Sequence, residues 1–129
     1  MESRPHIVVS TALSLMYVAF MLVQFNDPDP ETWVPVYGAM VLLTVLNIFK
    51  ALPPMVGILP MVGMLALAVW LWPAEYKGVT GDMRHNPEIE MARESLGLVV
   101  CAIGCGYVAW RGRVRLYIAR RRSLGQAYR

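Results

Sequence analysis

Four long apolar stretches alternate with short polar segments along the chain. The apolar stretches lie at about residues 7–25, 33–50, 55–73 and 92–110. Each has about the 20 residues that an α-helix needs to cross roughly 30 Å of hydrocarbon. The pattern therefore predicts an all-α fold, a four-helix transmembrane bundle.

Composition supports a membrane protein. The 129 residues are 57% hydrophobic and 16% charged, with a mean hydropathy of +0.45. A soluble domain of this size could not bury so much apolar surface. The first stretch is longer than the apolar region of a signal peptide, and no small-x-small cleavage site precedes the acidic residues that follow it. We therefore expect the first stretch to be retained as a signal-anchor helix.

Charged residues divide between the two predicted sides of the membrane. Nine of the twelve Lys and Arg residues fall on the side of the termini, against Lys77, Arg84 and Arg93 on the other side. Eight of the nine acidic residues, all but Glu2, lie on the same side as Lys77, Arg84 and Arg93. Because basic residues mark the cytoplasmic side, we expect both termini to lie in the cytoplasm. We expect the protein to be a multi-pass protein of the plasma or inner membrane.

The segment 111–129 is a predicted basic cytoplasmic tail that follows a membrane domain of residues 1–110. We expect its arginines to lie against anionic headgroups of the lipid bilayer. The alternative is a solvated tail that only enforces topology. Because the positive charge is confined to one side, the pI near 9.1 does not indicate nucleic-acid binding. The arginines assigned to the membrane surface are Arg111, Arg113, Arg115, Arg120, Arg121 and Arg122.

A short acidic segment, FNDPDPETW at residues 25–33, interrupts the apolar pattern. Asp29, Pro30 and Glu31 are typical of a helix start, with Asp29 as the capping acceptor. Asn86-Pro87-Glu88 repeats this pattern before the fourth helix. Trp33 and Tyr37 fit an aromatic belt at the outer interface. A cap needs only one acceptor, however, so the other acids of this segment suggest a second role.

The fourth helix carries a polar and small-residue stripe. At 100° per residue, Glu90, Glu94, Gly97 and Cys101 fall within about 60° of one another. Small residues let helices approach closely, so Gly97, Cys101 and Cys105 predict a packing seam. Glu94 then points into the bundle and not toward lipid, where an acid would be costly. Two cysteines four residues apart in a helix do not favour a disulfide.

Two elements of this sequence resemble the transmembrane protein 220 family. One is Asn26-Asp27-Pro28-Asp29-Pro30 with Trp33 and Tyr37 at the head of the second helix. The other is Arg93-Glu94-x-x-Gly97-Leu98 at the head of the fourth. The resemblance covers nearly the whole chain and implies four spans with both termini on one side. It implies an architecture and a site, but no reaction, and the basic tail has no match in it.

We expect the two elements to meet at the outer surface and form a ligand-binding site. Asp27, Asp29 and Glu94 would be the metal ligands, since hard oxygen donors suit Ca²⁺, Mg²⁺ or Mn²⁺. His85 could add a nitrogen for a transition metal, and a polar headgroup is another possible ligand. The full set of predicted site residues is Asn26, Asp27, Asp29, Trp33, Tyr37, Glu90, Arg93 and Glu94.

Other functions stay open at this point. Arg93 could instead pair with Asp27 or Asp29 and only clasp two hairpins together. A carboxylate could act as a general acid or base on a lipid-borne substrate, although no catalytic residue is assigned. The alternative to a binding protein is a small accessory or assembly subunit of a larger membrane complex. Transport would require a homo-oligomer, because four helices without a repeat make a poor pore.

Overall fold

Four α-helices and one short 3₁₀ helix make up the computed structural model, which describes residues 4–27, 29–81 and 85–127. The elements are α1 (Arg4–Val23), the 3₁₀ helix (Gln24–Asn26), α2 (Pro30–Phe49), α3 (Pro54–Leu71) and α4 (Pro87–Ala127). No strand occurs in these three ranges. All four α-helices are long and apolar enough to cross a membrane. The predicted all-α, four-helix transmembrane architecture is confirmed, and the protein is a multi-pass integral membrane protein.

Helices α2 and α4 begin a few residues before the predicted spans, each at a proline. Pro30 and Pro87 occupy first helical positions, where a missing backbone N–H costs nothing. Asp29 is the N-cap of α2, as predicted, but its side chain makes no capping hydrogen bond. The prediction that the Asp29 carboxylate caps α2 is therefore wrong. The carboxylate lies near α4 instead, as described below.

The bundle is built from two helix pairs, α1 with α2 and α3 with α4, which are joined by contacts of α4 with α2. Gly57 of α3 lies directly against the α4 backbone at Cys105 and Ala109, so these two helices approach closely. The hydroxyl of Tyr17 donates to the carbonyl of Val100 at 2.7 Å and ties α1 to α4. Both α1 and α3 thus contact α4 directly.

Polar side chains link α1 to α2. Ser14 donates from its hydroxyl to that of Thr44 at 2.8 Å, and the Asn47 amide donates to the Ser10 hydroxyl at 3.2 Å. These four residues are buried, and they form the interhelical hydrogen bonds that such residues make in membranes. Thr11, which follows Ser10, lies on the exposed surface of the bundle.

Helix α4 has 41 residues and runs past the predicted end of the fourth span without a break. At 1.5 Å per residue it is roughly 60 Å long, about twice the hydrocarbon thickness. Much of the basic segment is therefore a continuation of this helix. Predictions that involve Glu2, Pro28, Arg84 and Arg129 fall outside the described residues.

The two ends of the bundle differ in charge. We call the end that holds the α1–α2 connection and the start of α4 the acidic end. The opposite end, which holds the α2–α3 connection and the α4 residues from Arg111 onward, is called the basic end.

Candidate functional site: a pocket at the acidic end

The two sequence elements that were predicted to meet do come together. Arg93 of α4 forms an ion pair with Asp27, with 3.6 Å between Nη2 and Oδ2. At the next residue of α4, the indole N–H of Trp33 donates to Oε1 of Glu94 at 3.0 Å. Both contacts join the α1–α2 side to the start of α4. The ion-pair clasp that the sequence left open is therefore present, with Asp27 as the partner of Arg93.

Trp33 and Tyr37 face the interior of the bundle. Trp33 is 6% exposed and Tyr37 is 5% exposed, so neither belongs to a lipid-facing belt and that prediction is wrong. Both side chains point from α2 toward α4. The hydroxyl of Tyr37 occupies the space that a Cβ atom at position 97 would need, so a larger residue there would require Tyr37 to shift. Phe20 of α1 packs edge-on against the Tyr37 ring at 5.6 Å between centroids.

Three carboxylates converge beside this ion pair. Asp29, Glu90 and Glu94 each place one carboxylate oxygen within 4.8 Å of the others. All three are partly buried. Carboxylates that are held so close repel one another unless a cation or a proton relieves the repulsion. The Asp29 side chain is available to this cluster because it does not cap α2.

The acids line one wall of a cavity of about 320 Å³. Among the described residues that line it, four carry carboxylates and one, Arg93, carries a guanidinium, so the lining is acidic. Sequence reasoning missed the apolar part of the wall. The apolar lining residues are Phe20, Val23, Val79, Leu96, Gly97 and Val100. Leu96 and Val100 stand four residues apart on α4, a helical spacing that could have indicated them.

Two predicted residues lie outside the pocket lining. Asn26 ends the 3₁₀ helix with an exposed side chain, and His85 is also exposed; neither lines the cavity. The other seven residues of the predicted ligand-binding set line the cavity together. The structure thus gathers the acids, Arg93 and both aromatic residues around one space.

The small-residue seam of α4 continues inward from the pocket. Cys101 and Cys105 are free thiols with no exposed surface, and both belong to the core cluster with Tyr37 and Met40. The thiol of Cys105 lies 3.6 Å from the Met40 sulfur. The predicted packing seam is therefore confirmed.

Arg111 differs from the other arginines that were predicted to lie on the membrane surface. Its Nη1 donates to the backbone carbonyl of Asn47 at 2.7 Å and to the side-chain oxygen of Asn47 at 3.2 Å. It thus binds the last turn of α2, where carbonyls lack helical partners. The other five side chains are exposed.

Comparison with known proteins identifies the family. No curated protein and no solved structure matches this chain. The family model described as "Transmembrane family 220, helix" matches residues 16–110, a range that includes both sequence elements and most of the pocket. Because this match covers well over half of the chain, the protein belongs to transmembrane family 220.

Proposed function

We propose that this membrane protein binds a cation in the pocket at the acidic end. The observation that carries the proposal is the convergence of Asp29, Glu90 and Glu94, whose oxygens lie within 4.8 Å of one another. Arg93 is paired with Asp27, which is not a member of this cluster. A positive ligand would relieve the repulsion among the three carboxylates.

The spacing of the oxygens fits a hard divalent cation. Two ligands on opposite sides of Ca²⁺, at about 2.4 Å each, stand about 4.8 Å apart. Around Mg²⁺, at about 2.1 Å, the same two ligands stand only about 4.2 Å apart. The oxygens of the cluster lie within 4.8 Å of one another, a limit that admits both spacings, so the cluster fits either ion. The hydrogen bond from Trp33 holds Glu94 in place for such a role.

A second candidate ligand is an amine-bearing lipid headgroup. The cavity of about 320 Å³ is far larger than one ion, and Phe20, Leu96 and Val100 give it an apolar wall. Such a wall would contact the glycerol or acyl part of a lipid while the carboxylates contact its amine. The buried rings of Trp33 and Tyr37 would add cation–π attraction. The charge asymmetry of the chain supports an outward-facing pocket.

Native mass spectrometry of the full chain in mild detergent at near-neutral pH tests the proposal. The probe is Ca²⁺ alone, and a second series uses phosphatidylethanolamine. The test variant is Glu90→Gln, which removes one charge from the cluster and keeps the side-chain size. Its matched control is Glu31→Gln, an identical exchange at an exposed residue of the acidic end that does not line the cavity. We expect the native protein and the control to retain one Ca²⁺ per chain and the Glu90 variant to lose it.

Other results would decide between the alternatives. Retention of phosphatidylethanolamine in place of Ca²⁺, with the same loss in the Glu90 variant, would assign the headgroup as ligand. Equal adducts in all three proteins would refute the pocket as a binding site. If the protein instead arrives with a larger partner and carries no adduct, the accessory-subunit alternative is favoured and the acidic residues act as a clasp.

A further inference from the structure

A second and larger cavity lies at the basic end. It has a volume of about 940 Å³ and is lined by α4, by His6 of α1, and by Phe49 and Lys50 at the end of α2. Four cationic side chains line it: Lys50, Arg111, Arg115 and Arg122. No acid is among the described residues that line it. We call this cavity the basic groove.

The arginines of the groove share one face of α4. At 100° per residue, Arg111, Arg115 and Arg122 fall within about 40° of one another. Arg113 and Arg120 lie on the opposite face and do not line the groove. The basic segment therefore presents two separate sets of arginines, and only one set converges with Lys50.

Apolar and aromatic groups border the charged part of the groove. Phe49 is 77% exposed and Trp110 is 61% exposed, and both line the cavity beside Val114 and Ile118. Trp at this position, next to a run of arginines, is typical of the membrane–water interface. The groove thus combines cationic side chains with exposed apolar ones.

The geometry points to one occupant: we propose that the basic groove binds the phosphate headgroup of a single anionic phospholipid. The cations would contact the phosphate, and the acyl chains would lie along Phe49 and Trp110. Arg111 is already held in position by its two hydrogen bonds to Asn47, so little ordering is needed on binding. This site is separate from the acidic pocket and does not depend on the function proposed for it.

Two double variants of equal charge test the proposal. Arg115→Gln with Arg122→Gln removes two cations from the groove, and Arg113→Gln with Arg120→Gln removes two cations from the opposite face of the same helix. All four side chains are exposed, so the bundle should fold in both variants, which circular dichroism and the elution volume would check. Native mass spectrometry of the full chain then compares phosphatidylglycerol with phosphatidylcholine of the same acyl chains.

We expect the native chain to retain one phosphatidylglycerol in preference to phosphatidylcholine. Each arginine near an anionic lipid changes the affinity of the protein for that lipid by about fivefold. The groove variant should therefore bind phosphatidylglycerol roughly 25-fold more weakly than the native chain. The control variant should bind it nearly as tightly as the native chain. Equal losses in the two variants would overturn the proposal, since general charge attraction would then explain binding. Displacement of the lipid by inorganic phosphate at equal concentration would also overturn it, because the groove would then take a free anion.

Discussion

The close approach of α3 to α4 at Gly57 offers a sharp test of the packing. A Cβ atom added at Gly57 of α3 would lie 2.8 Å from the backbone nitrogen of Ala109 and would also meet the carbonyl oxygen of Cys105. Ordinary contacts of a Cβ atom are 3.4–4 Å. Because the opposing atoms belong to the α4 backbone, no side chain can rotate away, and Gly57→Ala must push the helices apart by roughly 1 Å.

The same helix provides a matched control. Gly63 has nothing within 4 Å of its added Cβ, so Gly63→Ala tests helix propensity without a clash. Replacing glycine by alanine inside a helix favours folding by up to about 1 kcal/mol. Overpacking opposes folding by about 1–3 kcal/mol. We therefore expect Gly57→Ala to lower the free energy of unfolding, and Gly63→Ala to leave it unchanged or raise it slightly.

The buried cysteines supply the assay. Cys101 and Cys105 are the two cysteines of the chain, both free and without exposed surface, so a thiol-reactive fluorescent dye reports unfolding during heating in detergent. Gly57→Ala should give a lower Tm than the native protein, and Gly63→Ala should not. A Tm for Gly57→Ala equal to or above that of Gly63→Ala would refute the close approach of α3 and α4 at this point.

Two further substitutions test the polar contacts. Trp33→Phe keeps an aromatic ring but removes the N–H that donates to Glu94, and a hydrogen bond within a protein contributes about 0.5–1.5 kcal/mol. We expect a lower Tm in the same dye assay, and an unchanged Tm would contradict the contact. Asn47→Leu removes the side-chain bonds to Ser10 and Arg111, and at about 0.6 kcal/mol per bond within a membrane it should destabilise the bundle by roughly 1 kcal/mol. A variant as stable as the native protein would show that these bonds do not hold α1 and α4 to α2.

The sequence predicted the number, type and approximate positions of the helices because these depend on local composition. A run of about 20 apolar residues is helical in a bilayer whatever its neighbours are, since the backbone must satisfy its own hydrogen bonds. The prolines at 30 and 87 fixed two helix starts for an equally local reason. The polar stripe of α4 also correctly placed Glu90 and Glu94 on the face that meets the other acidic element.

The sequence did not determine which side of α2 faces the interior of the bundle. Nearly every position of that helix is apolar, so the pattern gives no periodic signal for its inner face. Trp33 was predicted both for an aromatic belt at the interface and for the site, and its 6% exposure rules out the belt. The direction is instead decided by packing against α4, where Gly97 leaves room for the Tyr37 hydroxyl. That rotation brings the Trp33 indole to Glu94.

The partners of the acidic residues were likewise decided by tertiary structure. From sequence, Arg93 could pair with either Asp27 or Asp29, and Asp29 was expected to cap α2. The packed bundle pairs Arg93 with Asp27 and places Asp29 beside Glu90 and Glu94. Sequence alone determined which residues carry charge and which segments cross the membrane, because both are local properties. Only the packing of the helices decided which charges meet, because the rotation of each helix depends on the surfaces of all its neighbours.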